Sequence, residues 1–190
     1  MSRNHHLQLK GVVDSRSRAE RHLRSPGDAV LVERGVPRWL LMACPCGCGA
    51  VLPINLDARA GKAWRLYRSQ KWGMSLFPSV WRDTDCRSHF IIWRNNILLF
   101  GQREEDFESP SSDHETARLA ETAFGCLPST GFQSFVAVAD ALGEIPWDVL
   151  HALRYLVRRG LAREGLGNEQ GTFCRTPSRT GTAKPTEWWA

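Results

Sequence analysis

The chain has 190 residues, 42% of them hydrophobic, and its 25 lysines and arginines against 20 acids leave a formal net charge of +5. Those totals suit one domain or two small ones and permit an anionic partner without demanding one. No apolar run approaches the roughly 18 residues of a membrane helix, and the polar start, residues 1 to 10, lacks the apolar centre of a signal peptide. A reduced, cytoplasmic location is therefore expected.

Residues 1 to 27 are polar, with Arg16, Arg18, Arg21, His22 and Arg24 at near-helical spacing. A short basic helix or a mobile arm is expected, as a solvated end or as a nucleic-acid arm. Residues 28 to 101 predict a small β domain. Strands are expected at 29 to 33, 39 to 42 and 50 to 56, then at 63 to 67 and 74 to 77 about a Lys71-Trp72-Gly73 turn. A last pair, 90 to 94 and 97 to 100, flanks Asn95-Asn96 as a hairpin. Residues 102 to 114 are acidic and then Ser/Pro-rich, the composition of a linker.

The hydrophobic period then changes. Residues 115 to 124 can form a helix. Phe132, Phe135, Val136, Ala139 and Leu142 mark the stripe of a second. Pro146 suits the first turn of a third, which runs to about Arg159 with Gly160 as its stop. Short strands at 161 to 163 and 172 to 175 enclose a loop bearing Gly165, Gly167 and Gly171. Residues 115 to 176 thus follow the plan of a winged helix. In a DNA-binding member, His151, Arg154, Arg158 and Arg159 on the last helix, with Arg163 and Arg175 on or near the wing, would meet phosphates or base edges. The alternative is a unit that docks a protein. Residues 177 to 190 form a polar tail ending near Trp188-Trp189. The expected fold class is α+β: a zinc-bound antiparallel β domain followed by a winged-helix-like helical domain.

The chemistry lies in Cys44-Pro45-Cys46-Gly47-Cys48-Gly49 and in Cys86-Arg87-Ser88-His89. Soft thiolates this crowded suit a metal ion. Proline and glycine let the backbone curl around it. Cys44, Cys46, Cys48, Cys86 and His89 make five candidate ligands for four tetrahedral positions, with Cys46, Cys48, Cys86 and His89 the first four. Zn²⁺ is expected in a structural role, with an iron–sulfur cluster as the alternative. Cys126 and Cys174 lie apart and suit small buried side chains.

The motifs Cys-Pro-Cys-Gly-Cys-Gly (44–49), Ile-Asn-Leu (54–56), Pro-Ser-Val-Trp-Arg (78–82) and Cys-Arg-Ser-His-Phe (86–90) together resemble one uncharacterised bacterial and phage metal-binding domain family, over about residues 28 to 100. Its members are often encoded beside ubiquitin-like proteins and their E1-, E2- and deubiquitinase-like partners. The resemblance implies a metal-binding accessory or adaptor role in such a pathway, or in phage defence, with an E2-like or ubiquitin-like protein as partner. Three functions follow as expectations. The first is a non-catalytic zinc-binding adaptor. The second is a DNA-binding regulator stabilised by zinc. The third is a hydrolase, metal-dependent or with a cysteine nucleophile and His89 as base. Whether the protein is an enzyme stays open, with a non-catalytic role preferred.

Overall fold

The structure, a computed structural model, describes residues 5–100 and 112–177. The chain divides into two compact units, Met1–Pro110 and Ser111–Ala190. The expected linker lies mostly outside the described residues, as does the tail with its two tryptophans.

The first unit begins with β1 (His5–His6), β2 (Gln8–Val13) and α1 (Arg16–Glu20). The short basic helix expected from the arginine spacing is there, and among the described residues before it His5–His6 and Gln8–Val13 are strands. β2 pairs in parallel with β3 (Asp28–Arg34), which continues antiparallel into β4 (Val36–Ala43) and then β5 (Val51–Asn55). These four strands form one sheet in the order β2-β3-β4-β5. A second sheet follows: β6 (Arg65–Ser69), β7 (Gly73–Trp81), β8 (His89–Trp93) and β9 (Asn96–Leu99). Its order is β1-β9-β8-β7-β6, so the first two strands of the chain contribute to both sheets.

One apolar cluster joins the two sheets. It combines Leu40, Met42 and Ile54 from the first with Leu76, Phe90, Ile92 and Ile97 from the second. A smaller cluster covers the other face of the first sheet, where Ala19 of α1 meets Val30, Val32 and Leu41. Both faces of β3 are therefore buried. That is why residues 29 to 32 read as a continuous apolar run rather than an alternating one.

The last hairpin turns one residue earlier than expected. Arg94 and Asn95, not Asn95 and Asn96, take positive φ angles of 50° and 64°. The Asn95 side chain decides this. Its Oδ1 accepts a hydrogen bond from the Met74 N–H at 2.8 Å, tying the turn to the start of β7.

The second unit contains α2 (Asp113–Cys126), β10 (Gln133–Ser134), α3 (Phe135–Leu142), α4 (Pro146–Arg158), β11 (Ala162–Glu164) and β12 (Thr172–Arg175). Ser112 caps α2 by accepting from the Glu115 N–H, and Ser134 caps α3 by accepting from the Ala137 N–H. Pro146 stands in the first turn of α4, and Gly143 ends α3 in the left-handed conformation. The three strands form a sheet ordered β10-β12-β11. Val138, Val149, Leu153, Leu156 and Phe173 are fully buried in its core. β10 has no periodicity in two residues and was legible only as part of the helix that follows.

Candidate metal centre and a serine–histidine pair

The knuckle at residues 44 to 49 joins β4 to β5, and Cys86 lies in the connection between β7 and β8. Each sheet of the first unit thus sends one loop to the same end. The Cys44 N–H donates to the Ala50 carbonyl at 2.8 Å, and the Gly47 N–H donates to the Cys44 carbonyl at 3.1 Å. These bonds close the knuckle. Gly47 and Gly49 have φ angles of 86° and 79°, which a side chain would strain. On the other loop, Asp85 and Arg87 flank Cys86 with φ angles of 52° and 49°. This conformation costs about 1–2 kcal/mol per non-glycine residue. An ion pair between Arg82 and Asp85 and a bond from the Arg82 N–H to the Ser88 carbonyl hold the loop in it.

The thiols of Cys44, Cys46, Cys48 and Cys86 all lie within 4.8 Å of one another. Cys44 Sγ is 3.3 Å from Cys46 Sγ and 3.8 Å from Cys86 Sγ. Four soft donors in this arrangement could hold a metal ion such as zinc. The group contains all three knuckle cysteines and not His89. Donors surround it. Ser88 Oγ lies 3.2 Å from Cys44 Sγ and 3.4 Å from Cys86 Sγ, and Arg82 Nη1 lies 3.8 Å from the sulfurs of Cys48 and Cys86.

The cluster polarises its own thiols. Hydrogen bonds from the Ser88 hydroxyl and N–H lower Cys86 to about 6. Desolvation of the sulfur and the neighbouring Cys44 thiol push Cys46 up to about 12. Burial also raises Cys44. A divalent ion removes the mutual repulsion and lets all four sulfurs ionise.

His89 belongs to a different constellation. Its Nε2 is 3.0 Å from Ser79 Oγ. The imidazole is stacked on Phe100 with ring centroids 4.0 Å apart, and Trp81 stands 5.9 Å away on a tilted plane. The pairing of β7 with β8 shifts register between Leu76 and Val80, where Phe77, Pro78 and Ser79 of β7 lie against Ile91 alone of β8. Ser79 lies in this bulge, the kind of irregularity that re-aims a side chain. The Trp64 indole N–H donates to the Ser79 carbonyl at 3.2 Å and fixes the bulged backbone. Trp81 is 71% exposed and Phe100 52% exposed, so the pair opens onto an aromatic surface. Ser79 stood inside the Pro-Ser-Val-Trp-Arg motif, but only the bulged register shows its partner.

In the second unit, most of the residues expected at a nucleic-acid interface are engaged internally. Arg154 makes a two-pronged ion pair with Glu164, at 3.1 and 3.2 Å. Arg175 donates to the carbonyls of Phe124 and Gly125, and Arg163 approaches Cys174 Sγ at 3.5 Å. Arg159 lies over the Tyr155 ring, Arg158 is exposed at the end of α4, and His151 is half-buried. Cys174 is buried and Cys126 half-buried, and neither belongs to the thiol group. Among the described residues no helix is long and apolar enough to cross a membrane.

Residues 15–100, just under half the chain, match the family model described as "Bacterial ubiquitination-like system serine protease (BubE)". The matched segment contains both the thiol group and the Ser79–His89 pair. No curated protein and no solved structure matches the chain.

Proposed function

We propose that the first unit is a serine hydrolase domain on a zinc-stapled β sandwich, acting on a protein substrate of a bacterial ubiquitination-like system. The observation that carries this reading is the 3.0 Å contact between Ser79 Oγ and His89 Nε2. It is the spacing required of a nucleophile and its general base. The description of the matched family, which names a serine protease, supports the same assignment. His89 Nε2 takes the proton as Ser79 Oγ attacks the scissile carbonyl, then returns it to the leaving amine. Water hydrolyses the resulting ester by the same route. The Phe100 ring, stacked on the imidazole with centroids 4.0 Å apart, helps to hold its orientation.

Zinc is the metal the thiols fit best. Four sulfurs about 2.3 Å from one tetrahedral ion lie about 3.8 Å apart, close to the spacing of Cys44 and Cys86. A two-iron cluster would spread its ligands over two irons, and the shared 4.8 Å limit favours a single ion. A full set of four thiolates leaves no open position, so the ion's role is structural. It joins a loop of each sheet and holds the Cys86 loop, which ends at His89. This use of the thiols also argues against a cysteine nucleophile.

The second unit reads as a winged helix, supported by its order of helix, short strand, two helices and two strands. As an adaptor it would dock a protein partner, such as an E2-like or ubiquitin-like protein. A DNA-binding use would rest chiefly on Arg158 and Arg159, because Arg154, Arg163 and Arg175 are engaged within the unit. A gel shift at several salt concentrations, with Arg158 and Arg159 replaced, tests that use.

The hydrolase reading is tested with a fluorophosphonate probe, which labels activated serines. The wild-type protein is expected to be modified at Ser79, and His89→Ala is expected to abolish labelling without releasing zinc. A folded, zinc-loaded protein that leaves Ser79 unlabelled would overturn the catalytic reading and return the domain to a non-catalytic adaptor role.

A further inference from the structure

The basic run at residues 16 to 24 plays no part in the serine–histidine pair or the metal centre. The fold divides its cations into two groups. Arg18 is paired with Asp14 at 3.0 Å, and Arg16 lies over the Trp39 ring. Arg21 and Arg24 are different. Among the described residues their guanidinium groups have no acid or carbonyl partner, and both line a cavity of about 670 Å³ with Lys10, His22, Ser25 and Asp28. The size is that of a small-molecule site.

The segment that carries them is held in place. Leu23, between the two arginines, packs into the apolar cluster formed by Ala19, Val30, Val32 and Leu41. The Asp28 carboxylate accepts from the N–H groups of Arg24 at 3.1 Å and Ser25 at 2.9 Å. The one acid in the cavity is thus already occupied, and Lys10 neutralises it at 2.9 Å. Two uncompensated guanidinium forks remain, with His22 beside them.

We infer that this cavity binds a phosphate-bearing ligand, with Arg21 and Arg24 as its recognition groups. Two forks lining one cavity match the charge of a phosphate dianion and can each bond it through two N–H groups, whereas a single carboxylate matches only one fork. The ligand is either a free phosphate compound or a nucleic-acid strand, which present the same oxyanions. The inference does not depend on the hydrolase reading, since the site shares no residue with Ser79 or His89.

The test is calorimetric titration of the full-length protein with sodium pyrophosphate, and separately with a short DNA duplex, at low and moderate salt. Pyrophosphate is expected to bind the wild type and to weaken as salt rises. The Arg21→Gln/Arg24→Gln variant is expected to bind about tenfold more weakly or worse. Arg18→Gln, whose cation is already paired, is expected to bind like the wild type. A duplex that competes with pyrophosphate and fails on the double variant would identify the source as nucleic acid. Pyrophosphate binding without duplex binding would identify a free phosphate compound. Absence of pyrophosphate binding at low salt, or equal binding by wild type and double variant, overturns the inference. The single variants Arg21→Gln and Arg24→Gln serve if the double variant does not fold.

Discussion

Ser79 Oγ and His89 Nε2 meet at 3.0 Å although ten positions separate them, because the antiparallel pairing that sets Trp81 opposite His89 makes Ser79 the diagonal neighbour of the histidine on the same face. Cys86 lies in the same strand connection, just before His89. The thiol group and the proposed catalytic pair thus meet at one strand connection, which carries Cys86 and is flanked by the strands of Ser79 and His89, and a change at either should be felt by the other.

Replacing Ser79 or His89 with alanine is expected to lower peptide hydrolysis by about 10³-fold or more, and replacing both should cost little beyond either alone. Groups that act as one unit lose their function together. Steady-state kinetics of the two single variants and the double variant checks this. Multiplicative losses would mean that the two residues do not work as a pair.

Cys86→Ser is expected to release the metal and unfold the first unit, because it removes the only thiol supplied by the second sheet. Structural zinc contributes about 10–16 kcal/mol of apparent binding free energy in small domains. Elemental analysis and circular dichroism of the variant beside the wild type read both effects. Retained zinc with an intact fold would exclude the structural role. Cobalt substitution of the wild type should give a thiolate-rich, four-coordinate spectrum.

Gly73→Ala is expected to destabilise the first unit by about 1–2 kcal/mol. The residue has a φ of 75°, and an added Cβ would lie 2.1 Å from Asn95 Nδ2. The amide cannot swing away without breaking its bond to the Met74 N–H. Urea denaturation followed by tryptophan fluorescence measures the change.

Asp28→Asn is expected to cost about 2 kcal/mol at neutral pH. Burial alone would raise the Asp28 pKa, but Lys10 and the N–H groups of Ser25 and Arg24 outweigh it and hold the carboxylate below its ordinary 3.8. A depressed pKa contributes stability that is complete above the ordinary value and disappears as pH falls through the folded one. The stability gap between wild type and variant should therefore be constant near neutrality and close below about pH 4. Thermal melts across that range follow it.

Phe173→Ala is expected to destabilise the second unit by about 3–5 kcal/mol, since the side chain is fully buried in that unit's own core. Zinc content and Ser79 labelling should stay unchanged. Calorimetry that separates two unfolding transitions, with only one shifted, is the check.

Much of this architecture is written locally. Helices α2, α3 and α4 follow from apolar spacing and from the stops at Gly143 and Gly160, because a helix satisfies its backbone within its own segment. Most strands in the first unit are visible for a similar reason, as β-rich runs between turn residues. The cysteine knuckle is legible because three cysteines lie within five positions. Tertiary structure decided the rest. The parallel pairing of β2 with β3 gathers residues 8 to 13 into a sheet, and no local pattern specifies a partner some twenty residues away. That Cys44 joins Cys46, Cys48 and Cys86 in one thiol group while His89 stands beside Ser79 depended on where two loops from different sheets converge. The Ser79–His89 pair depended on the register of β7 against β8, which exists only once the two strands are side by side. Ligand type and turn chemistry are properties of single residues and their neighbours. Register and convergence arise only when strands distant in sequence share one core.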